Sequence, residues 1–322
     1  VILDLLDLED GARVETDLCV IGAGAAGIAI ARELASTKVS VCVLESGGFQ
    51  YEPETQSLYA GEITELPYFD LNVTRLRFFG GSTMVWGGRC VPLDRLDFER
   101  RSWVPYSGWP MSRDDLDPFY RRAQQLLELS SSIHDERVWD ELRATPPAFD
   151  SNLLRTTFWR FDQGHARFGF GNTQDLASST NIQIVVHANV TNIQLQDDGN
   201  AVEHLDIASL SGKRAKVKAR TIVLATGGIE NARLLLASRG VHQNGVGNEH
   251  DLVGRFFMEH PHGRAGELIA KEPFRLLAMY RKRRGAKGDF VAPVLSPSDE
   301  LQRRAGILNS AISVKYRRRA DL

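Results

Sequence analysis

The chain has 322 residues, enough for one large or two ordinary domains, with 43% apolar and 25% charged side chains. Its 39 basic and 41 acidic residues leave a net charge of −2, so there is no electrostatic basis for binding nucleic acid. Three cysteines without CxxC spacing (Cys19, Cys42, Cys90) argue against a disulfide framework or a cysteine zinc site. The longest apolar stretch, Leu18–Ala31, is 14 residues, short of the roughly 20 that a membrane span needs. No signal peptide is visible at the N-terminus, which begins at Val1 rather than Met, and a cytoplasmic location is expected.

Residues 1–15 are acidic and loosely patterned and read as an arm. Asp17–Gly22 is a short apolar run ending in glycine, followed by an Ala/Ile/Leu helix to about Ser36 and a valine-rich strand, Val39–Glu45. Strand–helix–strand implies a parallel pair. Residues 46–110 carry Gly, Pro and aromatics and read as loops with short elements. Ser112 then caps a helix with Asp115 three residues on, and Leu116, Phe119, Tyr120, Ala123, Leu126 and Leu127 make its apolar face. Residues 130–175 are irregular. Ile182–Val186 reads as a strand; Val190–Leu195, Val202–Ser209 and Arg214–Lys218 alternate like an antiparallel meander with a turn at Asp197–Asn200. Thr221–Ala225 is a buried-type strand running into Gly227–Gly228 and a helix, Ile229–Ser238. Beyond His260, exposed strands are expected at Gly263–Ile269 and Gly306–Tyr316, joined by a polar link. The basic runs Arg281–Arg284 and Arg317–Arg319 read as solvated faces. Cys19 and Cys42 fall in buried strands, where a thiol packs as a small apolar group.

Gly22-Ala23-Gly24-Ala25-Ala26-Gly27 is a GxGxxG set between a strand and a helix. Gly22 permits the tight turn, Gly24 lets the backbone approach a pyrophosphate, and Gly27 lets helix and strand pack closely. The anion then sits at the helix N-terminus, against the N–H groups of Ala25 and Ala26. Glu45 ends the second strand, with Ser46 after it. Its carboxylate is placed for a ribose diol, and its charge disfavours a 2′-phosphate. The unit alone does not separate one dinucleotide from another.

A second segment, Phe79-Gly80-Gly81-Ser82-Thr83-Met84-Val85-Trp86-Gly87-Gly88, can lay backbone N–H groups and a Thr hydroxyl against a flat polar ring or a phosphate. With it, the sequence resembles the glucose–methanol–choline (GMC) oxidoreductases, a family of FAD enzymes. The resemblance rests on several segments in order: the GxGxxG with Glu45; Gly80–Gly88, similar to the family's GGSxxxxGG loop; Gly108-Trp109-Pro110; the run Ile222–Leu235, which contains Ala225-Thr226-Gly227-Gly228; and Val253–Pro261. Together they span about residues 17 to 262.

The resemblance implies an α/β fold: a Rossmann-like FAD-binding domain, a parallel sheet with an antiparallel meander, plus the start of a second α+β substrate domain. The expected boundaries are an N-terminal arm over 1–15, the FAD-binding domain over 16–260 with a loop-rich insertion at about 50–175, and the beginning of the substrate domain over 261–322. It also implies cofactor roles. Gly80, Gly81 and Thr83 would lie along the pyrophosphate and flavin side of FAD, Trp86 beside the isoalloxazine, and Val190 against the adenine through its main chain. Ala225, Thr226 and Gly227 would pass beside the ADP half. Val85 stands where some relatives attach FAD covalently through a histidine, so non-covalent FAD is expected.

The reaction implied is oxidation of a CH–OH donor, an alcohol, polyol or sugar, with hydride transfer to flavin N5 and a base taking the hydroxyl proton. The family's base is a histidine in a C-terminal segment. None of His134, His165, His187, His204, His242, His250, His260 and His262 stands in that context, so no catalytic residue is named. The expectation is a fragment or one half of a divided enzyme, with a C-terminal companion segment or subunit as partner and neither nucleic acid nor membrane. His260 and His262 have HxH spacing but no third ligand, which favours a structural role over a metal site. Two other readings stay open: an NAD-dependent dehydrogenase, and a non-catalytic dinucleotide-binding subunit.

Overall fold

A computed structural model describes residues 1–131, 133–164, 166–264, 266–269, 271–285 and 288–315. In chain order the strands are β1 (Ile2–Asp4), β2 (Ala12–Ile21), β3 (Val41–Leu44), β4 (Arg89–Cys90), β5 (Leu154–Phe161), β6 (Ile182–Val186), β7 (Asn189–Leu195), β8 (Val202–Ala208), β9 (Arg214–Leu224), β10 (Arg283–Arg284) and β11 (Phe290–Pro297). They divide between two compact units: Val1–Trp86 with Ala166–His260, and Gly87–His165 with Pro261–Leu322.

Unit one is built on a seven-stranded sheet in the order β1-β6-β3-β2-β9-β8-β7. The strands from β1 to β9 in that order run parallel, and β8 and β7 extend the sheet as an antiparallel meander. This is the mixed α/β, parallel-rich architecture that the family resemblance implied, and β2 with β3 is the parallel pair that the strand–helix–strand pattern implied. Helix Ala25–Leu34 follows β2, and helix Gly228–Ala237 follows β9. Cys19 and Cys42 are register partners on β2 and β3, both fully buried among Ile21, Leu44, Val185 and Val217.

Two local readings change. Residues 1–15 are not a free arm: β1 pairs with β6, and β2 already begins at Ala12. The acidic side chains hid this because only Leu5 and Val14 are buried there. Arg214–Lys218 and Thr221–Ala225 are not separate strands either. They form β9, which pairs parallel with β2 from Ala215 to Leu224 and antiparallel with β8 over its first half. Its early residues alternate between buried and exposed, while its later ones are half-buried or exposed without that alternation, so one strand carries two hydropathy patterns.

Unit two has a four-stranded antiparallel sheet, β10-β11-β5-β4. Strand β5 lies in the stretch read as irregular. Its buried face includes Arg160, fully buried, which breaks the apolar alternation that marks a strand. The Arg160 guanidinium donates to Glu141 at 2.6 Å, Asp289 at 3.1 Å and Ser130 at 2.6 Å, while Phe158 on the same face meets Trp139 edge-on. The helix Arg113–Leu126 begins as expected, with Ser112 and Asp115 in a capping box; its apolar face is only partly covered, and Phe119 is exposed.

The stretch read as a polar link holds helix Pro273–Tyr280, β10, β11 and helix Asp299–Ala305. Among the described residues of 261–269 there is no strand. Gly306, at φ 61°, ends the preceding helix in the left-handed region, which leaves only an isolated bridge, Leu295 to Ile312, where a strand was expected. Tyr316, Arg317–Arg319 and His165 lie outside the described residues.

Candidate functional site

The site in unit one starts from the end of β2. Gly22 has φ 106°, and a Cβ there would stand 2.7 Å from the Ala225 carbonyl oxygen. Only glycine allows both the turn and this approach. Its N–H donates to Leu44 O at 2.7 Å, and Ala225 N–H donates to Ile21 O at 2.8 Å, so the ends of β3 and β9 are held against the turn. A Cβ on Gly27 would lie 1.9 Å from Gly22 O, which is why the helix can start so close to the strand. Gly24 is different. It occupies ordinary extended backbone, and a Cβ there would meet no protein atom within 4 Å.

The second glycine segment closes on the first. Gly80 N–H donates to Ala23 O at 2.8 Å, and a Cβ on Gly81 would lie 3.5 Å from Gly24 Cα. Gly80 and Gly81 both have positive φ, and Gly81–Met84 forms a short 3₁₀ turn in which Thr83 Oγ1 donates to Gly80 O at 2.5 Å. The third segment, Ala225-Thr226-Gly227, is pinned by Asn231, whose Oδ1 accepts the Thr226 N–H at 3.0 Å and the Thr226 hydroxyl at 2.6 Å. Positions Gly227 and Gly228 are again open, with nothing within 4 Å of an added Cβ. Three segments far apart in sequence therefore meet around Gly22–Gly24. Among the described residues, no protein acceptor takes the N–H groups of Ala25 and Ala26. Free helix N–H groups beside a glycine with open space fit a pyrophosphate, so the residues present suit a dinucleotide.

Glu45 lies beneath this cradle and is 6% exposed. Its Oε2 accepts the Ala23 N–H at 2.9 Å and its Oε1 the Gly47 N–H at 3.0 Å. Burial pushes its carboxyl up, against these two N–H donors and the nearby Arg77 charge, which favour the ionised form. The carboxylate thus organises the turn itself, and each oxygen keeps a second acceptor position for a diol. Ser46 sits in a polar cluster that motif reading missed. Its Oγ accepts from Arg77 Nε at 2.6 Å and is bonded to Asn189 Oδ1. Arg75 and Arg77 each reach Glu230 at 3.0 Å, and both guanidinium groups stack on Tyr59. Burial raises the Glu230 carboxyl, but the Arg75 hydrogen bond and Arg77 charge outweigh it and hold it below the usual range. The available signal was the Arg75–Leu76–Arg77 alternation before the glycine loop and the acid inside the Gly228–Leu235 run.

The remaining expected residues stand apart from the cradle. Val85 is 73% exposed, and Trp86 is partly exposed with its ring edge-on to Phe168. Val190 lies in β7 paired with Ile207, and only its neighbour Asn189 touches the Ser46 cluster. His260 is exposed on irregular chain, as is His262. Among the described residues no group of three or more His, Cys, Asp or Glu could hold a metal ion, and no helix is long and apolar enough to cross a membrane.

The sheet order defines an α/β protein with a parallel-rich sheet, and the three converging glycine segments leave a cradle of the kind that suits a dinucleotide. Residues 17–244 match the FAD dependent oxidoreductase (DAO) family, and the chain belongs to it. It is 25% identical to the 2-methyl-1,2-propanediol dehydrogenase of Mycolicibacterium austroafricanum, over 88% of this chain and 60% of that protein. It is 27% identical to the 6'''-hydroxyparomomycin C oxidase of Streptomyces lividus, over 74% of this chain and 53% of that one. The chain therefore spans little more than half the length of these relatives. A solved formate oxidase shares 18% identity at a TM-score of 0.46, covering 72% of this chain and 48% of its own.

Proposed function

We propose that the chain forms the FAD-binding portion of a GMC-type oxidoreductase that oxidises the CH–OH group of an alcohol, polyol or sugar. The observation that carries the reading is the meeting of Gly24, Gly81 and the unpaired Ala25 and Ala26 N–H groups in one open cradle. The names of the two relatives, a propanediol dehydrogenase and a hydroxyparomomycin oxidase, support a hydroxyl compound as donor.

Bound FAD supplies the hydride acceptor for such an oxidation. The chain's own residues bind and orient it. The first-turn N–H groups of the helix at Ala25 receive the pyrophosphate, and the free acceptor positions of Glu45 take the ribose diol. Gly80, Gly81 and Thr83 line the flavin side, with Trp86 beside the ring system. Val190 meets the adenine through its backbone, and Ala225, Thr226 and Gly227 pass the ADP half. Val85 offers no nucleophile, so FAD is held without a covalent bond. No residue is assigned as the base.

The test is flavin binding by the purified chain. Visible flavin absorption, or saturable quenching of FAD fluorescence on titration, is the expected result. A folded protein that does neither overturns the proposal.

A further inference from the structure

Behind the cofactor turn lies a histidine that the cradle does not use. His187 links β6 to β7 with φ 54°, a left-handed backbone that a non-glycine residue adopts at a cost. Its ring is clamped from both sides. Nδ1 lies 2.8 Å from the Asp4 carboxylate at the end of β1, and Nε2 lies 2.8 Å from Glu52 Oε1. A neutral imidazole has one N–H and one lone pair, so it can donate to only one of two carboxylates. With both carboxylates ionised, two acceptors at this distance require the imidazolium.

The clamp reaches the cofactor turn by short steps. His187 N–H donates to Gly47 O at 3.2 Å, and Ala188 N–H donates to Glu45 O at 2.8 Å. Glu52 also accepts from the Thr55 hydroxyl at 2.7 Å. A Cβ on Gly48 would stand 2.6 Å from Glu52 Oε1 and 2.9 Å from His187 Nε2, so the turn is packed directly on the pair. Gly48 O in turn accepts from Phe79 N–H at 3.0 Å, at the start of the glycine loop. The charged groups around the ring are Asp4, Glu52 and Glu54, the last lining the same small cavity of about 250 Å³ as His187, Ser46 and Asn189. All three are acidic.

From this geometry we infer that His187 is a positioning residue for the Glu45–Gly48 turn, and that it holds the turn only while doubly protonated, so that cofactor affinity falls as pH rises. The inference rests on the proposed FAD site. Burial works against the charged ring, but the hydrogen bonds to Glu52 and Asp4 outweigh it and raise its pKa above the ordinary value. A folded-state pKa raised above the unfolded value of about 6.5 gives stabilisation fully present below that value. It is lost as pH rises through the raised value. Deprotonation leaves a lone pair facing a carboxylate, and one carboxylate without its donor.

The experiment measures FAD affinity of the full chain across neutral to alkaline pH, with the His187 ring followed by NMR and the melting temperature recorded in parallel. The expected result is a ring that titrates above its ordinary range and an affinity that weakens about tenfold through the same interval, the size of one charge-assisted bond. His187→Gln should bind more weakly at low pH and show no step. Asp4→Asn should keep the affinity and lose the step, because an amide can donate to the neutral ring while Nε2–H serves Glu52. A native affinity independent of pH, the same step in His187→Gln, or a ring titrating below its ordinary value overturns the inference. If no flavin binds at any pH, the proposed function fails instead, and the ring titration and the pH dependence of melting still decide the protonation state of the clamp.

Discussion

Gly24 and Gly27 belong to one motif but should fail in opposite ways when enlarged. At Gly24 the backbone is extended (φ −83°, ψ −171°), which any residue adopts, and an added methyl meets no protein atom within 4 Å. Alanine there loses a modest helix-cap preference and gains from a stiffer unfolded chain, two effects of about 0.5 to 1 kcal/mol that oppose each other. Gly24→Ala should therefore melt within a few degrees of the native chain. The methyl would occupy the space through which the backbone would approach the pyrophosphate of the proposed cofactor. Losing one hydrogen bond to a charged group costs about 2 kcal/mol, roughly a 30-fold loss of affinity. At Gly27 the methyl would sit 1.9 Å from the Gly22 carbonyl oxygen, a backbone atom that cannot move without opening the turn. Gly27→Ala should cost about 3 kcal/mol or more in stability whether or not FAD is present. The assay is FAD titration by fluorescence beside thermal melting of the apoprotein. A Gly24→Ala variant that melts normally and binds FAD with native affinity refutes the assignment of the open space to the cofactor. A Gly27→Ala variant of native stability refutes the packing argument.

Glu230→Gln should destabilise unit one by about 3 kcal/mol, read as a lowered denaturation midpoint, because Arg75 and Arg77 would keep their charges with only a neutral amide between them. Acid precipitation of the flavin-loaded chain should leave all visible absorbance in the supernatant; flavin mass retained on the polypeptide would contradict the non-covalent reading of Val85. His134 in unit two has its Nδ1 2.8 Å from Phe158 O, and burial pushes its pKa down to about 4, with a smaller push from the Arg160 charge. Since that lies below the unfolded value of about 6.5, the unfolded chain binds the proton first. Stability is therefore full above pH 6.5 and should fall by up to about 3 kcal/mol as pH drops toward 4. A chemical-denaturation series should show a shallower acid slope for His134→Gln, and identical slopes would sink this attribution.

The parts of the site legible in the sequence were those whose chemistry is the absence of a side chain. Gly22 and Gly27 admit no Cβ, and their spacing between a strand and a helix announces why. Elements failed to show where a burial pattern changes within one run. Strand β9 pairs parallel with β2 over nearly its whole length but alternates between buried and exposed residues only in its first half, so its hydropathy reads as two. Strand β5 hides its buried face behind Arg160, whose partners Glu141 and Asp289 are distant in sequence and cannot be foreseen from it. Local pattern reports local burial, and a buried charge inverts the sign of the report.

The same reasoning explains which site residues were missed. Arg75, Arg77, Glu230, Ser46 and Asn189 form a layer beneath the cradle through pairings that no short motif spans; Arg75 and Glu230 are 155 positions apart. Each buried charge in that layer is tolerable only with its partner present, so the layer has few alternative arrangements. It ties the segment before Gly80 to the helix after Gly227 and to the residue after Glu45, at the entries of two of the glycine segments and beside the end of β3. The glycines leave the room that the proposed dinucleotide would take, but glycine is also the residue with the most backbone freedom. What holds that room to one shape is the ionic layer and the Asn231 and Glu45 bonds around it. Substitutions in the layer should therefore weaken cofactor binding in proportion to the stability they remove, whereas Gly24→Ala separates the two.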